Sequence, residues 1–347
     1  MTKKELFMAN VRGEHTSRSP IWIMRQAGRF LPEYRVFRKN ISFEDLCKTP
    51  KAVAEVTAQP IEILDLDAAI IFSDILLILE PLGITLTFDP GPIITPLLER
   101  PEQVAGMAQF DAAARLGFVG DAIVETRKRI GDDIPLLGFC GAPFTVFCYL
   151  CGTKGSKDFF RPIKFLTNYP KEGKEILERL TELSIAYLKM QVSAGADAVQ
   201  LFDTWAGELA REEFAVWSLP YLEKIISELD RSGIITSVYI KGAYHLLEQM
   251  QTLKARIFSL DWRTPLPEAA KILAPKTLQG NLDPHLLLGT QKLVIEKASG
   301  ILREMSGYNG YIFNLGHGIL PETPVDNVKA LVQTVHDFER TQHGRDK

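Results

Sequence analysis

Cysteine is scarce, with four residues (Cys47, Cys140, Cys148 and Cys151) in a chain of 347. So few thiols leave no disulfide framework and fit a reducing compartment. Cys148 and Cys151 have CxxC spacing, but no second pair and no neighbouring histidines accompany them, so they read as packing residues rather than as a zinc or redox pair. No cysteine follows residue 151, which excludes thiolate-bound zinc later in the chain. There is no HExxH, GxSxG or Walker pattern, and hence no signature of a zincin, a serine hydrolase or a P-loop enzyme. Nor is there an 18-residue apolar run or an apolar N-terminal segment, so a membrane span and a signal peptide are not expected and a cytoplasmic location is. Charge of one sign is missing too: 40 Lys and Arg against 43 Asp and Glu give −3, which argues against a nucleic-acid or membrane partner and requires any anion site to be local.

What the chain does have is apolar material, 46% of it hydrophobic, arranged as short runs between helical patterns. Eight strands are expected, over Ile21–Met24, Ala68–Phe72, Leu136–Phe139, Ala198–Phe202, Thr236–Ile240, Arg256–Leu260, Thr277–Gln279 and Tyr311–Asn314. Between the third and fourth, Glu172–Val192 repeats apolar residues every three or four positions, and Gly195 supplies a stop. Near-continuous apolar strands alternating with amphipathic helices imply a parallel sheet covered on both faces. Eight such units predict one α/β domain over residues 1–347, a (β/α)8 TIM-type barrel, with an open doubly wound sheet as the rival fold. Ile84–Phe88 with Asp89-Pro-Gly91 reads as an added β-hairpin.

A barrel places its active-site cleft at the C-terminal ends of the strands. After the first come Arg25, Gln26, Ala27, Gly28 and Arg29, then Arg35 and Arg38, which is either a local anion site or a helix face with ion pairs to Glu33. After the second, Asp74 stands among apolar neighbours, either capping a helix or holding a charge for a ligand. Tyr149 follows a glycine-rich turn that lacks dinucleotide spacing. Later strands end at Phe202-Asp203-Thr204-Trp205, Lys241, Asp261-Trp262-Arg263, Asn281-Leu-Asp283 and Asn314-Leu-Gly-His317-Gly. Convergent polar residues of this kind are the usual make-up of an active site.

The run Ile23-Met-Arg-Gln-Ala-Gly-Arg-Phe-Leu-Pro-Glu-Tyr34 resembles the signature of the uroporphyrinogen decarboxylases. Ile71-Phe-Ser-Asp-Ile75, Gly138-Phe-Cys-Gly-Ala-Pro-Phe-Thr145, Asp261-Trp-Arg-Thr-Pro-Leu266, Leu278-Gln-Gly-Asn-Leu-Asp-Pro284 and Asn314-Leu-Gly-His-Gly318 resemble that family in the same order. The resemblance implies a homodimeric (β/α)8 barrel that uses no cofactor or metal. It converts the four acetate arms of uroporphyrinogen III to methyls, giving coproporphyrinogen III and CO2 in heme biosynthesis. It also implies that Arg25, Gln26, Ala27, Gly28 and Arg29 form a substrate-binding loop, that Asp74 faces the centre of the macrocycle, and that Tyr149, Phe202, Thr204 and His317 contact it. Asp74, Arg25, Tyr149 and His317 are the expected catalytic residues, and Arg38 is an additional candidate. The chain departs from the family pattern at Thr204, where many members carry serine, and at Gly152-Thr153-Lys154, which replaces a more usual Glu-Gly-Gly. Two rival functions are a zinc-dependent corrinoid methyltransferase of the same superfamily and a non-catalytic tetrapyrrole binder. The missing late cysteines oppose the first, and the retained polar set opposes the second.

Overall fold

The run of apolar segments folds as one curled sheet. A computed structural model of the chain describes residues 1–88, 91–153 and 159–340. The strands are β1 (Ala69–Ile70), β2 (Thr85–Phe88), β3 (Pro92–Thr95), β4 (Leu136–Gly141), β5 (Ala198–Asp203), β6 (Thr236–Ile240), β7 (Ile257–Leu260), β8 (Thr277–Leu282) and β9 (Tyr311–Leu315). Seven are parallel, in the order β1-β4-β5-β6-β7-β8-β9, each pairing with the next strand of the barrel. Every residue of β4, β5, β6, β8 and β9 is buried, as expected of strands covered on both faces. The expected hairpin is β2 against β3, with Thr85 opposite Thr95; Asp89 and Pro90 of its turn lie outside the described residues.

The first predicted strand, Ile21–Met24, makes a single parallel bridge, Ile21 to Phe313, yet it closes the ring. On one side Phe313 N donates to the Pro20 carbonyl (2.8 Å) and Trp22 N to that of Phe313 (3.3 Å); on the other, Asp67 N donates to the Ile21 carbonyl (2.8 Å). Side chains take over the rest of the ladder. The Asp67 carboxylate accepts from Ile21 N (2.9 Å), Gln26 Oε1 from Ile23 N (3.0 Å) and Asn314 Oδ1 from Met24 N (3.0 Å). The second predicted strand is likewise shortened to two residues, because Phe72 N turns to the Thr57 hydroxyl (3.0 Å).

Asp67 is the clamp of this closure. It is fully buried and receives Arg18 in a two-pronged pair (2.6 and 2.7 Å), with His336 at 3.3 Å. Burial pushes its pKa up, but the bonds from Arg18 and His336 outweigh that and hold it down at about 2.

Long helices cover the outside. One of them, Pro170–Ser193, extends the predicted 172–192 and buries Ile176, Leu180, Tyr187 and Leu188; Gly195 ends it with φ 118°. Inside the barrel runs a polar chain: Trp22 Nε1 donates to Gln279 Oε1 (2.9 Å), while Gln279 Nε2 (3.0 Å) and the Ser237 hydroxyl (3.1 Å) both donate to Gln200 Oε1. The barrel is thus a filled core whose open chemistry lies at the strand ends. Among the described residues no helix is long and apolar enough to cross a membrane.

Candidate active site

The arginine loop comes first, because its shape sets the rest. Arg25 takes the left-handed conformation (φ 65°), uncommon for a residue with a side chain, and Gly28 closes in so tightly that a Cβ there would stand 2.9 Å from the Arg25 carbonyl. Gln26 is fully buried and braces the loop, its amide donating to the Ala68 carbonyl (3.1 Å). Ala27 is half-buried beside it.

The four arginines divide by role. Arg35 donates to the carbonyls of Arg29 (2.9 Å) and Phe30 (3.2 Å), so it holds the loop in shape. Arg38 donates to the Ile41 carbonyl and lies 6.0 Å from the centre of the Phe43 ring. Arg25 and Arg29 are exposed, and neither forms a salt bridge among the described residues.

Asp74 follows β1 and is half-buried. One carboxylate oxygen accepts from Leu76 N (2.8 Å), its only hydrogen bond among the described residues. Burial raises its pKa; the Leu76 amide and the positive charge of Arg25 pull the other way without cancelling it. The capping reading made from the sequence applies, since Asp74 caps the turn before the 3-10 helix Leu77–Leu82, and the carboxyl group has no further hydrogen bond among the described residues.

Tyr149 lies on the helix Pro143–Leu150 and packs edge-on against Trp205 (6.3 Å between ring centres). Burial raises its pKa; the charge of Arg25 counters this, while that of Asp74 reinforces it, so Arg25, Asp74 and Tyr149 share one electrostatic neighbourhood. The Trp205 indole N–H is buried without a partner among the described residues. Phe202, at the end of β5, packs against Phe139 (5.6 Å) and Tyr239 (6.0 Å), and the half-buried Thr204 comes two residues later. The adjoining Asp203 anchors this turn by accepting from Thr145 N (3.1 Å) and from the hydroxyls of Thr145 (2.6 Å) and Ser218 (2.6 Å). Its burial outweighs those three bonds and lifts its pKa to about 6.

His317 stands between Gly316 and Gly318, and both glycines are required by close approach. A Cβ at Gly316 would collide with the backbone of Trp262, and one at Gly318 with the side chain of Arg25. The imidazole stacks on Tyr239 (6.0 Å, 11° between planes) with Nδ1 3.0 Å from the tyrosine hydroxyl. Burial first, then the charges of Arg25, Lys241, Arg263 and His285, push its pKa down to about 3, so the ring is neutral at pH 7. Arg263 donates from Nε to the buried Asp261 (2.6 Å), and its guanidinium lies over Trp262 and against Gly242.

The structure therefore brings Arg25, Asp74 and Tyr149 together on one side and Arg25 and His317 on the other. Tyr239, Lys241 and Arg263 join them. Lys241 and Arg263 were visible as polar strand ends; Tyr239 was hidden inside an apolar run. Lys154, one of the departures from the family pattern, lies outside the described residues. All four cysteines are free and buried, and burial lifts the thiol pKa values of Cys148 and Cys151. Among the described residues no three His, Cys, Asp or Glu side chains form a group that could hold a metal ion.

A family model described as uroporphyrinogen decarboxylase matches residues 2–338. The chain belongs to the uroporphyrinogen decarboxylase family. Relatives include a uroporphyrinogen decarboxylase of Myxococcus xanthus, 43% identical over 328 residues and covering 94% of both chains, and one of Geobacter sp. strain M21, 40% identical over 94% of this chain and 97% of its own. Among solved structures, a methyltransferase from Methanosarcina mazei superposes with a TM-score of 0.81 at 22% identity, over 97% of this chain and 99% of its own. A B12-independent methionine synthase from Shewanella sp. W3-18-1 does so with a TM-score of 0.60 at 13%, covering 92% and 96%. At these identities the likeness is one of fold, and it bears out the barrel.

Proposed function

We propose that the side chains around Arg25 carry out the decarboxylation of uroporphyrinogen to coproporphyrinogen, the carboxy-lyase reaction of heme biosynthesis for which the family is named. The observation that carries this reading is Asp74, a carboxyl group held with one hydrogen bond beside Arg25 and Tyr149 in a chain that the family model matches over residues 2–338.

The substrate bears eight carboxylates around four pyrrole N–H groups. Outer acids call for cations, and Arg25 and Arg29 are exposed to receive them, each charge-assisted bond contributing about 1.5–3 kcal/mol. Asp74 would repel every part of the ligand except the pyrrole N–H groups, so electrostatics assigns it to the ring centre. Protonating a pyrrole carbon gives a cationic, iminium-like ring; the acetate arm then loses CO2, its electrons flow into the ring, a second proton completes the methyl group, and the ring carbon gives up the first proton to restore the pyrrole. An under-solvated carboxylate beside the ring stabilises the cation more than the neutral substrate, which is transition-state stabilisation. Tyr149, Phe202, Thr204 and His317 supply the surrounding contacts, and Gln26, Ala27 and Gly28 shape the loop. The chemistry asks for no electron sink beyond the pyrrole, so we assign no cofactor and no metal. We expect a cytoplasmic homodimer with no nucleic-acid or membrane partner, checked by sedimentation equilibrium and cell fractionation.

The test is anaerobic incubation of purified, chelator-treated protein with uroporphyrinogen. Products with seven, six, five and four carboxyl groups are expected in turn; unchanged substrate overturns the reading. Asp74→Asn is expected to retain binding and lose turnover about 100- to 1000-fold, the usual scale for removing one preorganised electrostatic group.

A further inference from the structure

The His317 ring has two nitrogens, and only one of them meets the protein. Nδ1 lies 3.0 Å from the Tyr239 hydroxyl, which also lies 2.9 Å from the Gly316 carbonyl oxygen. Nε2 makes no hydrogen bond among the described residues and is not among the buried unpartnered atoms of this half-buried side chain, so it reaches the open face.

We propose that Tyr239 acts as a positioning residue that locks His317 in one tautomer, with the proton on Nδ1 and a bare Nε2 turned toward the ligand. The argument is a count of protons. The Gly316 carbonyl can only accept, and the Tyr239 hydroxyl has a single proton to give. If that proton went to Nδ1, two oxygens would face each other at 2.9 Å with nothing between them. Both contacts are satisfied together only when Tyr239 donates to Gly316 and Nδ1–H donates to the tyrosine oxygen. Tyr239 is wholly buried and stacked on the imidazole, so neither ring can turn away. The groups facing the pair are the charged Arg25, Lys241 and Arg263 and the titratable His285 toward the imidazole and Asp261 toward the tyrosine, and Asp261 is already occupied by Arg263 and Thr264. Cations on that side disfavour a second ring proton.

A bare Nε2 is a hydrogen-bond acceptor. It suits a pyrrole N–H or an un-ionised carboxyl group and opposes a carboxylate, which can settle there only together with a proton. For the identity of that ligand the inference rests on the proposed function; for the tautomer it does not.

Long-range proton–nitrogen NMR of histidine-labelled protein, with His317→Gln to assign the signal, reads the ring directly and needs no substrate. A protonated Nδ1 and a bare Nε2 are expected between pH 6 and 8; a protonated Nε2 or a charged ring in the wild-type protein overturns the proposal. In Tyr239→Phe the signal is expected to move toward the Nε2–H form that an unconstrained histidine side chain prefers, and an unchanged signal overturns it. In turnover, Tyr239→Phe is expected to lower kcat/KM roughly fivefold to tenfold, on the scale of one lost neutral hydrogen bond. The double variant is expected to be no worse than His317→Gln alone, and additive losses overturn the coupling. Should Tyr239→Phe fail to fold, the wild-type spectrum still decides the tautomer.

Discussion

At the scale of single residues, the loop Arg25–Arg29 separates two tasks that its composition leaves merged. Four arginines within fourteen residues look alike in sequence, yet Arg35 and Arg38 turn to backbone carbonyls while Arg25 and Arg29 remain without salt-bridge partners among the described residues. Arg29→Gln is therefore expected to raise KM by about tenfold to a hundredfold with little change in kcat, on the scale of one charge-assisted bond. Arg35→Gln is expected to act through the loop and disturb both constants. Steady-state kinetics on the two variants separates these outcomes. Gly318→Ala makes a further case: its methyl group would meet the Arg25 side chain, so weaker binding is expected with the melting temperature nearly unchanged. Arg25, Asp74 and His317 could be singled out from the chain because each is a polar residue just past an apolar strand, whereas Tyr149 lies on the helix after β4 and its role came from the family resemblance. Tyr239 could not, because all five residues of β6 are buried and no alternation marks the one whose hydroxyl meets His317.

At the scale of elements, the sequence reading succeeded where backbone pairs with backbone and failed where side chains replace it. β4 to β9 fall close to the predicted runs, since a buried strand must be apolar along its whole length. Ile21–Met24 has the same apolar character, but its amides bond to Asp67, Gln26 and Asn314, and hydrophobic pattern carries no information about such partners. Closure therefore depends on Asp67. Asp67→Asn is expected to cost on the order of 3 kcal/mol in denaturant unfolding, because it leaves Arg18 without its counter-charge in a partly buried position. The acid dependence has a definite sign. Asp67 has a lower pKa folded (about 2) than unfolded (about 3.9), so its contribution is fully present above pH 4 and is lost as pH falls through 2. Unfolding midpoints measured from pH 5 to pH 2 are expected to fall more steeply in the wild type than in Asp67→Asn.

At the scale of the whole molecule, parallel strands deliver all their C-terminal ends to one side, which is how residues as far apart as Arg25 and His317 come to share a site. The eightfold alternation of strand and helix was legible, whereas ring closure was not, because periodicity counts units without showing which edges meet. The molecule as a whole is slightly acidic, yet cations gather around His317, so a polyanion is attracted locally against a weakly repulsive background. KM for the octacarboxylate is therefore expected to rise as ionic strength goes from 0.05 to 0.5 M, while a neutral ester of the same macrocycle would show no such trend. The charge on Arg25 pulls down on the pKa values of Asp74, Tyr149, Tyr239 and His317 alike, against burial in the first three and along with it in His317. Arg25 is thus a common electrical terminal: when an acid group of the ligand docks on it, all four become more basic in the same instant, and when that group departs the setting reverts. A reaction that repeats on successive arms of one molecule would meet the same electrostatic setting afresh at each round through this single contact.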